Sequence, residues 1–105
     1  MITISESNQG QTIKAKPGDT LGICLEENPT AGFRWRLDSA AEAICTLRRD
    51  AFEPGHAAVG QAGVHRWWFN VITEGRATIT LSYGRGWERP KSASRTFILH
   101  LDSRK

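Results

Sequence analysis

The chain lacks most of the features that place a protein quickly. It has two cysteines, Cys24 and Cys45, far apart and in no C-x-x-C arrangement, so the expectation is two free thiols packed in or against strands. The three histidines, His56, His65 and His100, show no ligand spacing, and neither a metal site nor a cofactor is expected. No run approaches the ~18 apolar residues of a membrane span, and no basic n-region leads into an apolar h-region; no membrane association is expected. With Met1 as the native start the expected location is cytoplasmic; with a leader removed it is periplasmic or secreted. No segment sustains a 3.6-residue period, and there is no internal repeat or low-complexity tract. No glycine-rich phosphate loop enters a helix, and G-x-S-x-G is absent. Both cysteines fall in strand patterns, away from the helix termini and electropositive loops that activate thiolates. The chain reads as a protein that is not an enzyme.

What is present is modest. At 105 residues there is room for one domain, residues 1–105, around one core. Hydrophobic residues make up 39% of the chain and charged residues 24%, so it folds with little apolar surface to spare. Fourteen Lys and Arg against eleven Asp and Glu give +3. That excess is mild and scattered, with Arg48-Arg49 the longest basic run before Ser103-Arg104-Lys105, and it suits solubility better than nucleic-acid binding. A free monomer is the default.

The hydrophobic pattern is that of strands. Ile2-Thr3-Ile4 alternates, Ser7 to Gly10 is a turn cluster, and Thr12 to Lys16 alternates again. Pro17-Gly18-Asp19 turns the chain. From Thr20 to Glu26, Leu21, Ile23 and Leu25 recur at period 2 and should face inward, with Cys24 on the other face. Phe33, Trp35 and Leu37 repeat the period. Ile44 to Arg49 reads as a further strand, broken by Phe52 to His56, and Ala57 to Gly63 as a loop of small residues. Val64 to Thr73 should be the longest strand, with Trp67, Phe69 and Val71 on one face and Trp68 on the other. After Glu74-Gly75, Ala77, Ile79, Leu81 and Tyr83 alternate, Gly84 to Pro90 forms a loop, and Thr96 to Leu101 closes the fold. The pattern predicts an all-β, immunoglobulin-like β-sandwich of about seven or eight short strands.

With the main strands lettered A to G and running antiparallel, alternate connections share an end. The BC, DE and FG connections then meet at one pole: Asn28 to Gly32, the small residues around Gly60 to Gly63, and Arg85-Gly86-Trp87. The first carries Asn, Pro and Gly within five positions, which stiffens it. A stiff loop has little entropy left to lose on binding, and Trp and Arg are enriched in binding hot spots. The opposite pole has only short turns.

Asn28-Pro29-Thr30-Ala31-Gly32-Phe33, followed by Trp35, resembles the N-P-T-T-G-Y/F-x-W signature of the chagasin-type inhibitors of papain-like cysteine proteases. Gly60-Gln61-Ala62-Gly63 resembles that family's G-x-G-G loop, with Ala62 in place of Gly. Tyr83-Gly84-Arg85-Gly86-Trp87-Glu88 resembles its Y-x-R-P-W-E segment, with Gly86 in place of Pro. The three occur in the family's order and span most of the chain. The resemblance implies a tight, reversible, competitive inhibitor of a papain-like cysteine protease, endogenous or foreign. Asn28, Pro29, Thr30, Ala31, Gly32 and Phe33 would enter the catalytic centre with Thr30 nearest the Cys-His pair. Gly60, Gln61, Ala62 and Gly63 would line one side of the cleft, and Arg85, Gly86 and Trp87 the other. Ala62 restricts close backbone approach, and Gly86 adds an ordering cost of roughly 0.4–1 kcal/mol, so weaker inhibition than by a member with the standard residues is expected, and Gly86→Pro should lower Ki.

Two other function classes compete. An immunoglobulin-like adhesion or carbohydrate-binding module would use sheet-face aromatics such as Trp68. A nucleic-acid binder, suggested by the pI near 9.2 and four tryptophans, would need a basic groove with exposed stacking rings, whereas Trp35 and Trp67 alternate inward.

Overall fold

The computed structural model describes residues 1–28, 32–54, 63–85 and 95–105. Among these residues eight strands run β1 (Ile2–Ile4), β2 (Thr12–Ala15), β3 (Thr20–Glu27), β4 (Phe33–Ser39), β5 (Cys45–Glu53), β6 (Gly63–Val71), β7 (Gly75–Arg85) and β8 (Arg95–Ser103), with a 3₁₀ turn at Glu6–Asn8. They form two four-stranded sheets, β1-β3-β6-β5 and β2-β8-β7-β4, the two layers of an immunoglobulin-like sandwich. The first strand of such a fold is here split between the sheets: β1 runs parallel to β3, and β2 parallel to β8.

Period 2 places the core. Leu21, Ile23 and Leu25 of β3 are fully buried, as are Phe69 of β6 and Ile79 and Leu81 of β7, with Trp35, Trp67, Val71, Phe97, Leu99 and Leu101 packed among them. Cys24 points away and is half-buried, Cys45 is buried, and both are free thiols. Each sheet contains an irregularity where the alternation slips. In β5, Leu47 faces Phe69 while Arg49 faces Trp68, so Arg48 is the extra residue of a bulge.

Several boundaries differ from the sequence reading. β7, with 11 residues, is longer than β6, with nine, because its ladder with β4 continues past Tyr83 to Arg85. Gly84 and Arg85, expected in a loop, are ladder residues opposite Arg34 and Phe33. Phe52 and Glu53 likewise stay in β5, paired with His65 and Val64, and Pro54, which cannot donate to a ladder, follows the end. Gly63 belongs to β6, opposite Glu27.

Candidate functional site

The registers bring the strand ends around three connections to one pole. In one sheet Glu27 lies opposite Gly63, and Glu53 opposite Val64. In the other, Phe33 lies opposite Arg85, and Tyr83 opposite Arg95. A hydrogen bond from the Asn28 amide to the Tyr83 hydroxyl, 3.0 Å, ties one sheet to the other at this end. The BC, DE and FG connections of the sequence reading are therefore the β3–β4, β5–β6 and β7–β8 connections, and their anchoring strands do converge. Asn28, Gly32, Phe33, Gly63 and Arg85 lie among the described residues. Pro29, Thr30, Ala31, Gly60, Gln61, Ala62, Gly86 and Trp87 lie outside them.

Each described residue has a local reason for its identity. Gly32 sits at φ +82°, a left-handed conformation that a Cβ disfavours by roughly 1–2 kcal/mol. Gly63 is buried where β6 begins, and a Cβ there would stand 2.3 Å from the Glu53 carbonyl oxygen and 2.6 Å from the Phe52 ring. Phe33 stacks on Tyr83 with centroids 5.6 Å apart, and Trp35 tilts against the same ring at 4.9 Å. Over this aromatic row sit two exposed guanidinium groups, Arg85 at 5.2 Å from Phe33 and Arg95 at 5.6 Å from Trp35, within cation–π reach.

Across the pole the character is acidic and buried. Glu27 is 1% exposed. Its Oε1 accepts the Trp35 amide at 2.6 Å, and its Oε2 meets Nδ1 of His65 at 3.1 Å. The other ring nitrogen of His65 meets Asp50 at 2.7 Å, and the ring lies flat on Trp67, 4.0 Å between centroids. Glu27 and Asp50 thus hold opposite sides of one imidazole and do not converge as metal ligands would. A cleft of about 190 Å³, lined by Glu26, Glu27, Asn28, Tyr83 and Arg95, lies at this end, smaller than the ~300 Å³ at which ligand pockets begin. A roomier hollow of about 630 Å³ lies at the other end, between Lys14, Lys16, Asp19, Asp102 and Arg104. Its carboxylates are engaged by the Lys16 amide and by Arg104.

Glu27, His65, Tyr83 and Arg95 were missed as site residues from sequence. Glu27 had a signal, since it continues the inward period of Leu21, Ile23 and Leu25. The others depend on cross-strand register, which the sequence does not display. The competing surfaces fare less well. Trp68 is capped by the Arg49 guanidinium, 3.9 Å from its ring, so its face is already occupied. Trp35 and Trp67, at 6% and 2% exposure, offer no ring to a nucleotide. Burial pushes the pKa of Cys45 up from the ordinary thiol value, the opposite of what a nucleophile needs.

The family model for the chagasin family of peptidase inhibitors, I42, matches residues 14–101. Chagasin of Trypanosoma cruzi is 27% identical over 103 residues, covering 93% of this chain and 94% of that protein. The crystal structure of the cysteine protease inhibitor EhICP2 from Entamoeba histolytica matches with a TM-score of 0.86 at 24% identity, over 98% of this chain and 95% of the other. PbICP-C, solved in complex with falcipain-2, matches with a TM-score of 0.76 at 18% identity, over 99% and 100%. The two structural matches establish the shared fold.

Proposed function

The chain belongs to the chagasin family of peptidase inhibitors, and from that premise we propose that it reversibly and competitively blocks papain-like cysteine proteases by seating the β3–β4, β5–β6 and β7–β8 connections in the active-site cleft. It is an inhibitor and not an enzyme. The observation that carries the reading is the register that gathers Glu27, Gly63, Phe33, Arg85 and Arg95 at one pole. Asn28 to Gly32 forms the central tip, with Thr30 nearest the catalytic pair. Gly60 to Gly63 meets one wall of the cleft, and Arg85 with Trp87 meets the other.

No chemistry by the inhibitor is required. The molecule measures 46 × 30 × 22 Å, so its narrow end matches in scale the ~800 Å² per partner of a standard interface. The test is titration of papain with the wild-type protein and with Thr30→Arg. Stoichiometric loss of activity, reversed by excess substrate and abolished by Thr30→Arg, is expected. Full papain activity at high inhibitor excess would refute the reading.

A further inference from the structure

Strand β3 ends with a charge where its pattern calls for a hydrophobe. Leu21, Ile23 and Leu25 face the core, and Glu27 follows them inward, 1% exposed. An inward carboxylate is costly unless donors surround it, and here two do. One is the backbone amide of Trp35, at 2.6 Å. β4 is the edge strand of its sheet, so an amide on its open side has no ladder partner and needs another acceptor. The other donor is His65 Nδ1 of β6, at 3.1 Å.

The bond to Trp35 spans the two sheets, and the contact with His65 lies within one. Glu27 immediately precedes Asn28, and Trp35 lies two residues beyond Phe33, so the carboxylate joins the two ends of the β3–β4 connection. The indole nitrogen of Trp35 adds a bond to the Glu26 carbonyl at 2.8 Å. His65 is itself fixed by Asp50 at 2.7 Å and by the flat contact with Trp67. The imidazole thus stands between the two carboxylates, one against each ring nitrogen. Phe52, edge-on to His65 at 6.4 Å, closes the remaining side and belongs to the strand leading into the β5–β6 connection.

We propose that Glu27 is a positioning residue for inhibition: held by His65, it sets the spacing of the two ends of the β3–β4 connection and so the pose in which Asn28 to Gly32 meets the protease. Glu27 itself touches no protease group. The inference rests on the inhibitory reading above, and the experiment separates their failures. Asparagine and glutamine dissect His65 because the amide nitrogen of Asn falls near Nδ1, and that of Gln near Nε2. His65→Asn keeps a donor for Glu27 and loses the one for Asp50; His65→Gln does the reverse. Both lose the stacking on Trp67 alike.

Ki against papain is measured for wild type, Glu27→Ala, His65→Asn and His65→Gln, well below each variant's Tm, with inhibitor concentrations fixed by titration. Glu27→Ala should raise Ki roughly tenfold or more, as expected for a lost charge-assisted bond, at unchanged 1:1 stoichiometry. His65→Gln should resemble it, and His65→Asn should stay within about threefold of wild type. A merely structural role would lower Tm in all three and leave the Ki of the folded fraction alone. Wild-type inhibition with Glu27→Ala equally tight, or with the two His65 variants indistinguishable, overturns the positioning role. Absence of inhibition by the wild type overturns the parent reading and the positioning role with it. Should Glu27→Ala not fold, the His65 pair decides by the same criterion.

Discussion

The two poles of this sandwich are tied together by different means. At the far pole the backbone largely serves itself: the Gly18 amide reaches the Val71 carbonyl at 2.8 Å, the Val71 amide the Asp19 carbonyl at 2.9 Å, and the Ile72 amide the Ile44 carbonyl at 2.8 Å. Among the described residues of the working pole, side chains share that duty. Glu27 receives Trp35, Tyr83 receives Asn28, and Glu6 receives the Glu26 amide. Backbone bonds form whatever the side chains are, so the far pole should tolerate substitution. A pole fixed by side chains can be adjusted residue by residue, and it can also be broken that way.

The strongest contrast lies between two glycines. Gly63→Ala puts a Cβ 2.3 Å from the Glu53 carbonyl oxygen and 2.6 Å from the Phe52 ring. The backbone contact cannot yield by a rotamer change, so the β5–β6 ends must part. We expect a loss of about 1–3 kcal/mol in stability and at least a tenfold rise in Ki. Gly18→Ala, at φ +97° with nothing within 4 Å of the added Cβ, should cost about 1 kcal/mol of backbone strain and leave Ki unchanged. Thermal unfolding and papain titration of the pair would show whether the poles differ as described; equal effects on Ki would erase the distinction.

That contrast also marks what could be read in the chain. The alternation of Leu21, Ile23 and Leu25, and of Ala77, Ile79 and Leu81, discloses the sandwich because burial on one face imposes period 2. The meeting of three connections at one pole follows from strand direction alone. The ends of strands were less legible. Gly84-Arg85 and Phe52-Glu53 carry loop-like residues, yet their neighbours across the ladder hold them in strands. Least legible was the meeting of His65 with Glu27 and Asp50, which lie 38 and 15 residues from it along the chain and reach it only once three strands are in register. Composition records such residues as ordinary surface charges.

A smaller and cleaner comparison removes one hydrogen bond from each pole. Tyr83→Phe keeps the ring against Phe33 and Trp35 but deletes the acceptor of the Asn28 amide. It should cost about 1 kcal/mol, seen as a roughly fivefold rise in Ki. Asp19→Ala deletes the carboxylate that accepts the Lys16 amide at 2.9 Å, with a similar loss of stability expected and no change in Ki. If Asp19→Ala weakened inhibition as much as Tyr83→Phe, the side-chain bonds at the working pole would have no special part in it.

The two thiols offer the mildest probe, because they report on the two regions without altering either. Cys24 is half-buried, 3.4 Å from an Arg66 nitrogen, and sits towards the working pole. Cys45 opens β5 at the far pole, fully buried, with its amide bonded to the Ala41 carbonyl at 2.9 Å. Burial raises the Cys45 pKa, so in the folded protein the thiol form persists to higher pH than in the unfolded chain. The stability this contributes is complete below the unfolded value and is lost as pH climbs through the folded one. Iodoacetamide at neutral pH should therefore modify Cys24 readily and Cys45 only through opening of the far pole. Glu27→Ala, which loosens the working pole, should leave the Cys45 rate as it is, whereas Gly18→Ala should quicken it slightly. Quickening of Cys45 by Glu27→Ala would mean that the poles open as one unit, and that the division between a self-bonded end and a side-chain-held end does not extend to their dynamics.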